Sequence, residues 1–285
     1  MDHAAIRYLE AKRTVDDRAM DDGVFAELKR LLGPNPTILE AGCGTGTMVP
    51  RLLHDGITDG TYLGVDRDET IVGFGRDVRP KELRSVGREV DSSQGGFRAD
   101  DLTVSFEVGD ALDAFADVND PDCVVAASFA DLVPLEDLLD TIAATLRPGG
   151  LAYLPLTFDG GTIFQPDHPA DERVIDAYHQ AIAERPGRDV RAGRHLLQQF
   201  QERPGKLLSV ASSDWIVRPR DGSYPADEAY FLGRILEFVE SSLSGRSPSV
   251  RGLADWLEAR RRQLAASELT YVAHQYDLLY QTPMD

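Results

Sequence analysis

The stretch ILEAGCGTGTM at residues 38–48 restricts the possible folds more than any other part of the chain. An apolar run ends in Glu40, three glycines follow at alternate positions, and an amphipathic segment then begins. This order predicts a buried strand, a tight loop and the N-terminus of a helix. The glycines permit a sharp turn and let a ligand lie against bare backbone, and the open helix end adds free N–H groups.

The spacing of these glycines distinguishes two cofactor classes. A dinucleotide fingerprint is G-x-G-x-x-G, whereas this loop reads G-x-G-x-G with Thr47 at the place of the third glycine. With the glutamate before it, the pattern resembles motif I of the class I S-adenosylmethionine (SAM)-dependent methyltransferases. The resemblance implies SAM as cofactor, S-adenosylhomocysteine as product, and cofactor contacts from Glu40, Ala41, Gly42, Cys43, Gly44 and Gly46.

Two further strand ends extend the resemblance. A second strand-like run ends in Asp66, at about the offset where dinucleotide folds place a ribose-binding acid. The resemblance assigns Asp66, with Arg67, to the cofactor ribose. A third run leads into Asp110 and Ala111, which resemble the motif that meets the adenine amino group.

The strand pattern predicts an α/β fold, with a doubly wound, mainly parallel seven-stranded sheet and helices on both faces. The resemblance covers residues 37–157, where the predicted strands are 37–40, 61–66, 102–108, 123–129 and 151–157. The end of the fourth strand, with Ser128 and Phe129, should open at the same edge as the cofactor motifs, because ligands sit outside the carboxyl ends of parallel strands.

The remaining segments predict a cover and a lid around this core. Residues 4–32 should be helical, a helix over 68–78 should end before Pro80, and 81–101 should be a helix fragment and a loop. Residues 1–157 form the predicted N-terminal helices and cofactor-binding core. Residues 158–285 supply lid helices, one of them starting at Ser247, and the strands 207–217 and 269–280, which complete the same sheet within a single domain.

Methyl transfer requires positioning more than a catalytic constellation, because the cofactor supplies the reactive group. Lys12 and Arg18 are candidates to meet the methionine carboxylate of SAM. Asp131 and Asp159 follow the fourth and fifth strands, so either could orient an amine or hydroxyl acceptor. The six histidines show no metal-ligand spacing, and Cys43, in a loop used through its backbone, is expected to be a small side chain rather than a nucleophile.

The net charge of the chain restricts the classes of partner that it can bind. A net charge of −18, with 26 arginines and four lysines, argues against nucleic acid, because no basic face is available to release counterions. The acidic, lysine-poor composition suits either a salt-rich environment or a mesophile with a GC-rich genome, in which arginine replaces lysine. We expect no membrane span and no signal peptide, hence a cytoplasmic protein.

The leading hypothesis is a methyltransferase that acts on an oxygen, nitrogen or carbon of a small molecule, with a homodimer as a candidate assembly. One alternative is an NAD(P)-dependent oxidoreductase, which Thr47 and Glu40 disfavour. Another is a catalytically inactive SAM-fold binding subunit. Methylation of a protein also stays open, since an acidic rim attracts basic peptides.

Overall fold

A computed structural model describes residues 6–93, 95–115, 118, 120–246 and 249–284. The described strands are β1 Thr37–Ala41, β2 Asp59–Asp66, β3 Val90–Ser93, β4 Gly96–Ala99, β5 Asp101–Val108, β6 Cys123–Val125, β7 Leu151–Gln165, β8 Lys206–Ser212, β9 Trp215–Val217 and β10 Thr270–Gln281. They form one sheet in the order β3-β4-β5-β2-β1-β6-β7-β10-β8, and β9 pairs with β10.

The centre of the sheet confirms the predicted fold class. Strands β5, β2, β1, β6 and β7 pair in parallel, and β10 runs antiparallel between β7 and β8. The seven strands from β5 to β8 are those that the sequence predicts. The hairpin β3–β4 extends this sheet at β5, so the predicted loop over 81–101 is wrong there. Three of the four β3 residues are exposed, which leaves no apolar alternation to read.

Helices cover both faces of the sheet. They are α1 Ile6–Ala19, α2 Asp22–Leu31, α3 Met48–His54, α4 Glu69–Ser85, α5 Ala111–Ala114, α6 Leu135–Thr145, α7 Asp171–Ala183, α8 Ala192–Glu202, α9 Glu228–Leu243 and α10 Leu253–Ala265. Apolar residues of α2, α3 and α4 pack on one face, and those of α5, α6 and α8 on the other. A third core joins α1, α7, α9 and α10 to β9 and β10. The predicted helix start at Ser247 lies outside the described residues.

Helix α4 continues past Pro80, so its predicted end at residue 78 is wrong. A proline inside a helix removes one backbone hydrogen bond. The buried side of α4 continues beyond it, with Ile71 and Val72 before the proline and Leu83 after it. Packing against the sheet therefore outweighs the local cost of Pro80.

Two strands differ in length from their predictions for reasons of pairing. Strand β6 ends at Val125, although the N–H groups of Ala126 and Ser128 still donate to the Tyr153 and Pro155 carbonyls of β7. Strand β7 runs to Gln165 because β10 pairs with it along its whole length. The predicted strand 207–217 is two strands, β8 and β9, both paired with β10. Among the described residues, no helix is long and apolar enough to cross a bilayer.

Candidate functional site

A cavity of about 460 Å³ lies at the carboxyl ends of the parallel strands. One half is lined by residues that follow β1, β2, β5 and β6. The other half is lined by α1, α7, α9, β7, β9 and β10. A smaller cavity of about 60 Å³ runs along the glycine loop and shares Lys12, Gly42 and Ser128 with the larger one. The two spaces therefore adjoin beneath α1.

The glycine loop presents bare backbone to both cavities. Gly42 and Gly44 adopt φ values of 65° and 52°, in the left-handed region that side chains disfavour. A Cβ at Gly42 would lie 2.4 Å from a ring carbon of Phe129. The turn is closed by the Cys43 N–H, which donates to the Val65 carbonyl at 3.0 Å. The absence of a side chain at Gly42 therefore makes room for the Phe129 ring, which lies against the loop.

Arg79 of α4 fixes the far side of this loop. Its side chain is fully buried, and its Nε donates to the Thr45 carbonyl at 3.0 Å. The guanidinium also pairs with Glu10 of α1 at 2.6 Å and with Glu82. One buried cation therefore joins the loop, the cover helix α1 and α4, which holds the loop in place.

Asp66 lies at the tip of β2 and lines the larger cavity. Its Oδ2 accepts from the Gly44 N–H at 3.0 Å, and its Oδ1 accepts from the Asp68 N–H at 3.0 Å. These bonds orient the carboxylate and tie it to the glycine loop. Each carboxylate oxygen keeps further acceptor capacity for a diol.

Glu40 is the penultimate residue of β1 and is 3% exposed. Burial raises the pKa of its carboxyl to about 8, partly opposed by the hydrogen bond that the Tyr62 hydroxyl donates. The group lines the smaller cavity beside Gly44. Burial likewise raises the pKa of the neighbouring Cys43 thiol, which keeps it protonated and supports its reading as a small side chain.

The predicted cofactor contacts fall into two groups. Those that line one or both cavities are Lys12, Glu40, Gly42, Cys43, Gly44, Asp66, Arg67, Ala111, Ser128 and Phe129. Those outside both linings are Arg18, Ala41, Gly46 and Asp110. The Asp110 carboxylate caps α5 by accepting from the Leu112 N–H at 3.0 Å, so its role at adenine stays a prediction.

The two basic candidates on α1 point in different directions. Lys12 lines both cavities, forms an ion pair with Asp16 at 3.3 Å, and lies 5.1 Å from the centre of the Trp215 ring. Arg18 instead pairs with the buried Glu228 of α9 at 2.6 Å. The structure therefore leaves Lys12 beside the glycine loop, while Arg18 joins α1 to the lid helices.

Polar atoms without a partner mark the cavity surfaces. Within the described ranges, Thr45 Oγ1, Ser128 Oγ and Gln275 Oε1 are buried and have no hydrogen-bond partner. Thr45 lies along the smaller cavity, Ser128 along both, and Gln275 at the lid end of the larger one. Ser128 also takes a strained φ of 50°. Buried polar groups are normally paired, so these atoms fit a polar ligand.

Aromatic side chains from six elements surround the lid half of the cavity. They are Tyr8, Phe158, Tyr178, Trp215, Phe238 and Tyr271. Sequence reasoning missed this wall, because its members are far apart in the chain and each resembles an ordinary core aromatic. No local signal in the sequence could have located it, since α1 carries a single aromatic residue, Tyr8.

The two candidate catalytic carboxylates are separated by the fold. Asp131 lines the cavity in the turn after β6, and burial raises the pKa of its carboxyl to about 6. Asp159 lies on β7 outside the lining, where it is 2% exposed and pairs with Arg194 at 2.7 Å. Across the described part of the chain, no group of three or more histidine, cysteine, aspartate or glutamate side chains could hold a metal.

Comparison with known proteins agrees with this geometry. Residues 39–154 match a family model described as a methyltransferase domain. BH2331 of Bacillus halodurans C-125, assigned as a methyltransferase, superposes with a TM-score of 0.53 at 11% identity, over 92% of this chain and 100% of its own. That likeness shows the fold. A SAM-dependent methyltransferase of Thiobacillus denitrificans in complex with S-adenosylhomocysteine superposes with a TM-score of 0.48 at 18% identity, over 93% of this chain and 92% of its own. No curated protein matches the sequence.

Proposed function

We propose that this chain is a class I SAM-dependent methyltransferase and that it methylates a small molecule held in the cavity at the ends of β1, β2, β5, β6 and β7. The observation that carries the proposal is the continuity of that cavity. It runs from the glycine loop and Asp66 at one end to the aromatic wall and Gln275 at the other. One continuous space is therefore available to both partners of a transfer reaction.

The residues of the cofactor half fit SAM, which supplies a methyl group activated by a sulfonium when bound. Asp66 would accept hydrogen bonds from the ribose hydroxyls, with its orientation set by the Gly44 and Asp68 N–H groups. Lys12 would meet the carboxylate, and the backbone at Gly42 would lie against the ligand. The unpartnered hydroxyls of Thr45 and Ser128 would gain hydrogen bonds there.

The protein contributes mainly by placing the acceptor. Holding two reactants aligned within about 3–3.5 Å can remove several kcal/mol from a barrier. The walls of the cavity come from α1, α7 and α9 as well as from the sheet, so the space is covered rather than open. Such a cover keeps water from the reacting atoms.

Cavity size and charge favour a small acceptor over a macromolecule. A volume of about 460 Å³ falls within the range of about 300–1,000 Å³ typical of ligand pockets. The acceptor half is mostly aromatic and apolar, and its polar members include Gln275, Thr162, Asp131 and Arg188. An acceptor with an apolar body and one or two polar groups suits this lining. The net charge of −18 opposes a nucleic-acid substrate.

Two measurements test the proposal. Calorimetric titration should show micromolar binding of S-adenosylhomocysteine and none of NADH. Methyl-labelled SAM, incubated with libraries of small acceptors, should then yield a labelled product. Binding of NADH alone would refute the assignment. Binding of S-adenosylhomocysteine with no turnover across broad libraries would favour the inactive binding subunit.

A further inference from the structure

Two opposite charges line the cavity without a direct partner. Asp131 lies in the turn after β6, and Arg188 lies in the segment between α7 and α8. Neither side chain makes a hydrogen bond or ion pair with another described residue, although the two interact electrostatically. Both groups are therefore free to meet an acceptor, as is Arg67, a further cation of the lining that lies close enough to act on Arg188 and pairs with no described residue.

The segment that carries Arg188 is docked on the turn that carries Asp131. The Asp189 N–H donates to the Asp131 carbonyl at 3.2 Å. A Cβ at Gly187 would lie 3.1 Å from the Pro134 ring, so the backbone of this segment approaches the turn closely. The relative placement of Asp131 and Arg188 is thus set by local packing.

The other groups that face Asp131 are already engaged or neutral. On α1, Lys12 is paired with Asp16, and Tyr8 is uncharged at neutral pH because burial raises its pKa. Burial also raises the pKa of Tyr178 on α7. The Asp189 carboxylate is held by His195 at 2.6 Å and by the Arg191 N–H at 2.8 Å. Of the two described cations that lower the pKa of Asp131, Lys12 and Arg188, only Arg188 has no ion-pair partner among the described residues.

This pairing of charges selects among acceptor types. A cationic amine would be attracted by Asp131 but repelled by Arg188 and Lys12. A carboxylate would be repelled by Asp131 and attracted by Arg188 and Lys12. A neutral hydroxyl suits both groups, because it donates its proton to a carboxylate and develops negative charge that a guanidinium stabilises. A neutral amine gains positive charge during methylation, which Arg188 would oppose.

The shape of the wall selects the body of the molecule. Tyr271 and Tyr8 are buried, and Trp215 and Phe158 present further rings from β9 and β7. Aromatic rings favour offset stacking or edge contacts with other rings. A flat ring that carries the hydroxyl fits this lining.

We propose that the acceptor is a phenol-type hydroxyl on a flat apolar body, that Asp131 is the general base that takes its proton, and that Arg188 stabilises the oxygen anion. This inference rests on the proposed function. In the step, the acceptor O–H proton passes to the Asp131 carboxylate as the new O–CH₃ bond forms. The C–S bond of the sulfonium breaks, its electron pair stays on sulfur, and S-adenosylhomocysteine leaves as the neutral product. The raised pKa of Asp131, about 6, leaves the carboxylate ionised at neutral pH while keeping it basic enough to accept a proton.

Ionisation of a bound chromophore tests the two roles without turnover. The wild-type protein, saturated with S-adenosylhomocysteine, is titrated with 4-nitrophenol and 4-nitro-1-naphthol, and the visible nitrophenolate band is followed against pH. Asp131→Asn should lower the pKa of the bound chromophore because a negative neighbour is lost. Arg188→Gln should raise it because a positive neighbour is lost. The exposed residues Asp137 and Arg191, changed in the same way, should leave it unmoved.

Turnover of a phenol acceptor supplies the second readout. Asp131→Asn should reduce kcat by about 10²- to 10⁴-fold, the usual contribution of a general base, with Asp131→Glu partly restoring it. The wild-type rate should rise with pH through about 6, as Asp131 ionises, and then level off. Arg188→Gln should shift that rise to higher pH, because the guanidinium lowers the pKa of Asp131.

The outcomes separate this inference from the proposed function. Unchanged affinity of the variants for S-adenosylhomocysteine shows that they fold and keep the cofactor site. Two results would overturn the phenol and base assignments while the proposed function stands. In the first, the protein binds S-adenosylhomocysteine but neither chromophore. In the second, both variants move the chromophore pKa in the same direction. Methylation confined to amines or carboxylates overturns them as well. Failure of the wild-type protein to bind S-adenosylhomocysteine refutes the proposed function itself.

Discussion

Replacing Asp66 with asparagine tests the cofactor site most directly. The change preserves the shape of the side chain and removes its charge. In the structure both carboxylate oxygens are already aligned by backbone N–H groups and face the cavity. Loss of one charge-assisted hydrogen bond to the ribose should cost about 1.5–3 kcal/mol. Since about 1.4 kcal/mol is tenfold in affinity, the Kd for S-adenosylhomocysteine should rise about 10- to 150-fold.

The assay is calorimetric titration with S-adenosylhomocysteine at constant salt, with a thermal unfolding curve for each variant. Asp59→Asn is the matched control, because Asp59 lies at the opposite end of β2 and also accepts a backbone N–H, that of Asn35 at 2.7 Å. Its affinity should equal that of the wild type. A loss below threefold in Asp66→Asn, with an unchanged melting temperature, would refute the assignment of β2 to the ribose.

A ligand that lacks one ribose hydroxyl separates direct contact from an effect on the loop. If Asp66 touches the ribose, the wild type and Asp66→Asn should differ much less in affinity for the 2′-deoxy analogue than for the natural ligand. If the variant only loosens Gly44, the difference should be the same for both ligands.

The remaining predictions concern α1 and Glu40. Lys12→Met should weaken S-adenosylhomocysteine binding about tenfold, because a charged contact to the ligand is lost. Arg18→Met should leave the Kd unchanged. It should lower the free energy of unfolding by about 3 kcal/mol, because the buried carboxylate of Glu228 loses its ion-pair partner. Calorimetry and urea unfolding of both variants check this pair, and equal Kd values would contradict it. The pKa of Glu40 is about 8 in the folded protein, above its ordinary value, so the folded state keeps a proton that the unfolded state has already lost. The free energy of unfolding should therefore fall as the pH rises toward 8. Glu40→Gln should flatten that fall in urea unfolding measured at pH 5 and pH 8; an unchanged slope would show that Glu40 does not cause it.

The cofactor half of the site was predictable because its signals are local. The glycine loop, Asp66 and Ser128 each follow a strand whose apolar run is visible in the sequence. Parallel strands bring their carboxyl ends to one edge, so their order alone places these residues together. Pro80 shows the limit of local reasoning, since packing of α4 against the sheet overrides its propensity to end a helix.

The acceptor half was not predictable for the opposite reason. Its wall joins Tyr8 of α1 to Tyr271 of β10, and nothing in the pattern near either residue indicates the other. Asp131 was placed correctly after the fourth strand, but Arg188, the cation that acts on it, lies in a segment whose path depends on docking against the turn after β6. Arg18 illustrates the same problem: its sequence context suits a ligand contact, and only the position of Glu228 shows that it pairs with α9.

The place of β10 in the sheet has a consequence for how the chain folds during synthesis. The cofactor half uses strands from the first 157 residues, whereas β10 follows every other described strand and enters between β7 and β8. Until it arrives, β7 presents a long edge of unpaired backbone groups, of the kind that pairs with other chains. A ribosome that pauses before residue 270 would therefore hold a chain with the glycine loop in place, an aromatic wall that lacks Tyr271, and an unpaired edge on β7. The same edge makes β10 the segment whose loss should convert this protein from a folded monomer into an aggregate.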